Sequence, residues 1–122
     1  MPKTKGVNTR IDYLYRDASN YKVFNSEVVS GVFSSADIQE MKTCLSDGEF
    51  FIPEQVGLPE NRFTDPVSDD DHIWFELYPE SDITVTDEAP TLALSCEDLM
   101  RGFRTAKKNW DEIGAMRRLG II

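Results

Sequence analysis

Two groups of basic residues carry the chemistry this sequence could perform. Arg16 and Lys22 flank a short turn, with Tyr15, Asn20 and Tyr21 beside them and Arg10 upstream. A guanidinium, an ammonium, an amide and two phenols so close together form a kit for a nucleotide. The arginine fork matches phosphate, a phenol stacks on a base and an amide reads its edge. The plain alternative is a solvated hairpin tip with cross-strand pairs. Arg101, Arg104 and Lys108 are spaced three and four apart, as a ridge on one helix, and the plain alternative there is a charged face. Trp74, with Phe75 after it, leaves a large ring to be covered by a helix, a second subunit or a ligand.

Catalytic sets are weaker. His72 is the only histidine, so a nucleophilic triad has one candidate base, and a histidine at the start of a strand more often makes ordinary hydrogen bonds. Asp69, Asp70, Asp71 and His72 could ligate a metal, but consecutive acids lack the alternate spacing and central glycine of a calcium loop, and a solvated acidic loop is the favoured reading. Glu54 and Glu76 could act as acid and base, a pairing that any two of 22 acids could claim. Gly57-Leu58-Pro59 lacks the glycines of a phosphate loop. The expectation is no catalytic residue, no metal and no cofactor.

Charge is distributed unevenly. Residues 1–46 carry five acids and six bases; residues 47–98 carry fifteen acids and only Arg62; residues 99–122 carry two acids and six bases, for a formal net charge of −9. An acidic body with basic ends argues against duplex nucleic acid, which needs a phosphate-neutralising face. It permits mimicry of a polyanion, or one small anion pocket where the ends converge. With 40% hydrophobic and 11% aromatic residues, the chain has the composition of a folded single domain. No apolar run reaches the roughly 20 residues of a membrane span. Cys44 and Cys96 read as buried thiols.

The elements that must position these groups follow from periodicity. Ile11, Tyr13 and Tyr15 alternate with Asp12, Leu14 and Arg16; Asp17-Ala18-Ser19-Asn20 is turn chemistry; Tyr21 to Phe33 reads as one long or bulged strand. Ser34 and Asp37 have capping-box spacing ahead of a helix over about 35–46, closed by Gly48. Phe50-Phe51-Ile52 reads as a brief strand, Pro53 to Asp71 as a long loop, His72 to Tyr78 as a strand, Pro79 to Asp82 as a turn and Ile83 to Thr86 as a strand. Ser95 caps a helix whose stripe of Leu99, Phe103, Ala106, Trp110 and Ile113 runs to Gly114. The result is an α+β class: a small antiparallel sheet with an N-terminal β-hairpin, one short helix and a C-terminal amphipathic helix. The expected divisions are a flexible arm at 1–9, a single domain at 10–114 and a tail at 115–122 that packs on its own core or on a neighbouring subunit.

The segments Thr9–Lys22, Phe50–Pro59 and Asp70–Leu77 resemble the first described kind of phage Thoeris anti-defence sponge, over roughly residues 9–112. The resemblance implies a non-enzymatic, cytoplasmic protein of an infected bacterial host. Such a protein sequesters a cyclic ADP-ribose isomer made by TIR-domain defence proteins, and forms homodimers or larger assemblies with pockets at subunit interfaces. It further implies Trp74 or Phe75 for stacking and Arg16, Arg101 and Arg104 for phosphate; the hairpin-tip residues Asn20 and Lys22 complete the expected ligand-binding set. The rival reading is an acidic protein-binding inhibitor, a nucleic-acid mimic that blocks a defence nuclease; a hydrolase centred on His72 is a third.

Overall fold

The computed structural model describes residues 7–62, 72–107 and 109–120. Strands β1 (Asn8–Arg16) and β2 (Lys22–Ser30) pair antiparallel along their full length, Tyr13 opposite Asn25 and Leu14 opposite Phe24. Alternation decides the faces: Thr9, Ile11, Tyr13 and Tyr15 are all buried, as are Asn25 and Val29 across from them. Asn8 and Thr9, placed in the arm by sequence, are ladder residues of β1, and β2 stops at Ser30 because Gly31 turns the chain with a φ of +89°.

The hairpin tip is closed by its own polar groups. Asn20 N donates to Asp17 O at 3.0 Å, Asp17 N to Tyr21 O at 3.0 Å, and the Asp17 carboxylate accepts from Ser19 N and Tyr21 N, both at 2.9 Å. Asn20 occupies the left-handed position, φ +69°, which Asn tolerates and β-branched residues resist. Asn20→Val is therefore expected to lower stability by about 1–2 kcal/mol, and Asn20→Gly by less, since glycine meets the backbone demand and loses the side-chain acceptor alone, as read by denaturant unfolding.

Beyond β1 the sheet continues through β4 (Phe75–Glu76) to β3 (Phe50–Phe51), while β5 (Ile83–Thr86) pairs with the start of β1. The strand expected over His72–Tyr78 shrinks to two residues. Ile73, Phe75 and Leu77 are buried as expected, but Glu76 between them is buried too, and Trp74 N donates locally to His72 Nδ1 at 3.1 Å. Pro79–Asp82, expected as a turn, is the one-turn helix α2. The loop after Ile52 opens with a 3₁₀ turn, Pro53–Val56, ended by Gly57 at φ +95°; residues 63–71 lie outside the described residues.

Helices α1 (Ser35–Cys44) and α3 (Cys96–Ala106) cover one face of the sheet, each started by a complete capping box, Ser34 with Asp37 and Ser95 with Asp98. Met41, Cys44 and Leu45 meet Leu99, Met100 and Phe103 over Tyr13, Phe51 and Phe75. Both thiols are free, buried and pushed upward in pKa by that burial. Gly102 brings α3 onto the 3₁₀ turn: a Cβ there would stand 3.2 Å from Val56 Cα.

The long C-terminal helix expected to reach Ile113 is two helices. Lys107 leaves helical geometry after Ala106, and α4 (Glu112–Leu119) begins afresh under an Asp111 cap that accepts from Gly114 N at 2.9 Å. Trp110 continues the apolar spacing but not the helix, because its indole Nε1 donates to Cys44 O at 3.1 Å. Gly114 is inside α4, and Ile113 is exposed. The tail is thus helical as far as Leu119. Ala115, Met116 and Leu119 pack on Ile52, Ile73 and Trp74 as a second small core, and Ile121 and Ile122 lie outside the described residues.

Candidate functional site

The end of the hairpin carries a built polar cluster. Arg16, the last residue of β1, donates from Nε to Glu76 Oε2 at 3.0 Å and from Nη1 to Asn20 Oδ1 at 2.6 Å. Glu76 is placed by the β4 ladder, opposite Leu14, and is nearly buried. Its other oxygen accepts from Tyr78 OH at 2.8 Å. That hydrogen bond, with burial and the charges of Glu76 and Glu49, pushes the Tyr78 phenol up to about 12. Tyr13 also rises, chiefly through burial. A phenol whose folded pKa exceeds its unfolded value near 10 adds stability below that value and loses it as pH climbs through the folded pKa. Alkaline absorbance titration is accordingly expected to show Tyr78 ionising near 12, and Tyr78→Phe to remove that late step.

His72 holds this cluster to the sheet. Its Nε2 lies 2.6 Å from Arg16 O and its Nδ1 accepts from Trp74 N, which assigns the neutral tautomer with the proton on Nε2. Its backbone N donates to Tyr15 OH at 3.3 Å. With both nitrogens engaged by backbone, His72 acts as a clamp between β1 and β4. Asp69, Asp70 and Asp71, the remaining residues of the metal candidate, lie outside the described residues.

Of the residues nominated by sequence, the structure brings together Arg16 and Asn20. Lys22 is exposed and makes no ion pair among the described residues, and Tyr21 next to it is 67% exposed. Arg101 and Arg104 lie on α3, and Lys108, nominated with them, lies outside the described residues. Arg104 forms a two-pronged contact with Glu40 at 3.0 and 2.8 Å and lies 3.8 Å from Asp37, joining α3 to α1. Arg101 faces Glu97 and Asp98 on its own helix. Arg16, Arg101 and Arg104, expected to converge on one hollow, are each engaged by a carboxylate instead, Arg16 by Glu76, Arg101 by Asp98 and Arg104 by Glu40.

Phe75 is corrected as a stacking residue. It has no exposed surface and packs between Tyr13 and Tyr15, at 6.0 and 5.3 Å between ring centres. It shares the main core with Leu77, whereas Ile73 belongs to the second small core. Trp74 is half-buried in that second core and meets Trp110 edge-to-face at 6.4 Å; α4 and Trp110 are what cover it.

Arg62, the lone base of the acidic stretch, was missed as a positional residue. Its side chain is 14% exposed, its guanidinium carbon lies 4.5 Å from the Tyr15 ring centre and 5.0 Å from that of Phe75, and it donates to His72 O and Ile73 O. Glu60, with a side chain 5% exposed, sits 3.6 Å from Arg62, accepts from Arg118 Nη2 at 2.9 Å and accepts from Glu54 N at 3.0 Å. The sequence signal was available: a single arginine two residues after a glutamate, within fifteen acids.

A cleft of about 440 Å³ opens beside this network, between the 3₁₀ turn, α3 and α4, lined by Glu54, Gln55, Thr105, Asn109, Asp111 and Arg118 among others. A smaller hollow of about 290 Å³ lies by Lys42, Tyr78 and Glu80. None of Arg16, Asn20, Lys22, Trp74, Phe75, Arg101 or Arg104 lines either one. The Gln55 amide spans the cleft floor, donating to Asp111 O and accepting from Asp111 N, each at 3.0 Å. Among the described residues no group of three or more His, Cys, Asp and Glu side chains has metal-binding geometry, and no helix is long and apolar enough to cross a membrane. Comparison of the chain with protein-family models, with curated proteins and with solved structures returns no match.

Proposed function

We propose that this chain is a non-catalytic binding protein that presents its acid-rich surface to a basic protein, in the manner of a nucleic-acid mimic acting on a defence nuclease. One observation carries this reading: most of the described cations, including every arginine nominated for phosphate, are already paired with carboxylates of the chain. Arg16 is held by Glu76, Arg104 by Glu40 and Asp37, Arg101 by Glu97 and Asp98, Lys42 by Glu80 and Arg118 by Glu54 and Glu60. Asp47, Asp87 and Glu112 are exposed and make no ion pair among the described residues. A free phosphate approaching Arg16 or Arg104 must displace a carboxylate already in place, whereas a basic surface meets the unpaired excess of a −9 chain.

A second reading keeps one supporting observation. Arg16 and Asn20 are joined at 2.6 Å beside exposed Tyr21 and Lys22, an arrangement able to take a phosphate and a base. That supports sequestration of a cyclic ADP-ribose isomer by a homodimer or larger assembly, to inhibit TIR-dependent anti-phage defence in the cytoplasm of the host. Two measurements separate the readings. Retention of a basic nuclease on the immobilised chain, released as salt is raised toward about 1 M where the Debye length is about 3 Å, supports the first. A thermal shift with cyclic ADP-ribose isomers supports the second, since ligand at 100 times Kd adds about 2.7 kcal/mol. A shift without retention overturns the first reading.

A further inference from the structure

Among the described residues strand β2 has an open edge with a particular symmetry. Val28 N donates to Thr91 Oγ1 and Val28 O accepts from Thr91 N, both at 2.8 Å, and Ser30 N donates to Leu94 O at 3.2 Å. Residues of this parity therefore turn their backbone groups away from β1, and the strap at 91–95 takes those of Val28 and Ser30. Lys22, Phe24 and Ser26 share the parity and have no such partner among the described residues. All three side chains are exposed, Phe24 by 79%. An edge strand with a bare aromatic at its centre is a template for pairing.

We infer that this edge is the interface between two copies of the chain, joined antiparallel with Phe24 on the twofold axis. Phe24 is midway between Asn20, where the hairpin turn ends, and Val28, where the strap begins. Centring there places Phe24 opposite its own copy and Lys22 opposite Ser26 of the partner subunit. Lys22, Phe24 and Ser26 all carry outward-facing N–H and C=O groups, so these opposed pairs exchange both bonds, and the intervening pair of Val23 with Asn25 of the partner subunit is the non-hydrogen-bonded kind. A twofold interface must be self-complementary in this way.

The side chains agree with the backbone. Within one chain Leu14 lies opposite Phe24, Arg16 opposite Lys22 and Asp12 opposite Ser26. Across the axis these become an apolar row, Leu14 and Phe24 meeting Phe24 and Leu14 of the partner subunit. They also become a charged row in which Arg16 and Lys22 face Ser26 and Asp12 of the partner subunit. Ser26 is small, so the Lys22 ammonium reaches over it to that Asp12 carboxylate, whose one ion pair among the described residues is with Arg10 at 3.8 Å. The contact thus offsets charge locally between two chains that otherwise repel.

The pairing is independent of what the acidic surface binds, and its test is read without any other partner. Sedimentation of the full chain is expected to show a monomer–dimer equilibrium, with Phe24→Glu raising the dimer Kd about tenfold or more, as for a central interface residue. Lys22→Glu and Asp12→Lys should each weaken the dimer, and the double variant should recover it. Under mild oxidation Phe24→Cys is expected to cross-link to a covalent dimer, because a bonded antiparallel pair has Cα atoms about 5.5 Å apart, within disulfide range. Ser26→Cys, out of register with itself, should not. A chain that sediments as a monomer at every concentration overturns the inference. So does a dimer indifferent to Phe24→Glu, or one that cross-links as readily through Ser26→Cys as through Phe24→Cys.

Discussion

Phe75→Ala is expected to lower folding stability by about 3–5 kcal/mol, the range for emptying a fully enclosed aromatic site. The ring contacts Tyr13 and Tyr15 and backs the Arg62 guanidinium. Its removal leaves a void and strips a buried cation of one of its two aromatic faces. The measurement is a denaturant midpoint, with the slope unchanged if the native state keeps its compactness. The result bears on function as well. Any binding assay on this variant reports loss of the folded state, so a lost signal would not make Phe75 a ligand contact. Phe75→Leu, which keeps most of the volume, is expected to recover a good part of the stability, whereas a stacking role would not be restored by an aliphatic chain.

Glu60→Ala is the second large effect, about 3–5 kcal/mol, because it strands a buried charge. Arg62 would retain two backbone carbonyl acceptors and its rings, but lose the carboxylate 3.6 Å away, and Glu54 N would lose its acceptor. Burial already pulls the Arg62 pKa downward, with Glu60 the largest opposing influence. The double variant Glu60→Ala, Arg62→Met removes both charges together and is expected to be more stable than Glu60→Ala alone, since a well-packed apolar pair can replace a buried ion pair. Equal losses in the single and double variants would show that the pair contributes through packing rather than charge.

Much of the fold was legible because its determinants are local. Alternation through Ile11, Tyr13 and Tyr15 assigns the buried face of β1, and Ser34–Asp37 and Ser95–Asp98 mark two helix starts by capping chemistry alone. The break between α3 and α4 was not legible, since Trp110 and Ile113 preserve helical spacing while the deciding bond runs from Trp110 to Cys44, 66 residues away. The pairing of the nominated arginines was hidden for a similar reason. Residue type nominated Arg16 and Arg104, but their partners Glu76 and Glu40 lie 60 and 64 positions off in the chain. In a sequence with 22 acids and 13 bases, a guanidinium more readily finds a carboxylate than an empty hollow.

The meeting of Trp74 and Trp110 has a practical consequence. These are the only two indoles in the chain, and both sit on the seam where α4 joins the rest. Intrinsic fluorescence is therefore a local gauge of that seam and is nearly blind to the hairpin. A red-shifted emission that precedes the loss of far-ultraviolet circular dichroism would identify α4 as the first piece of this molecule to let go.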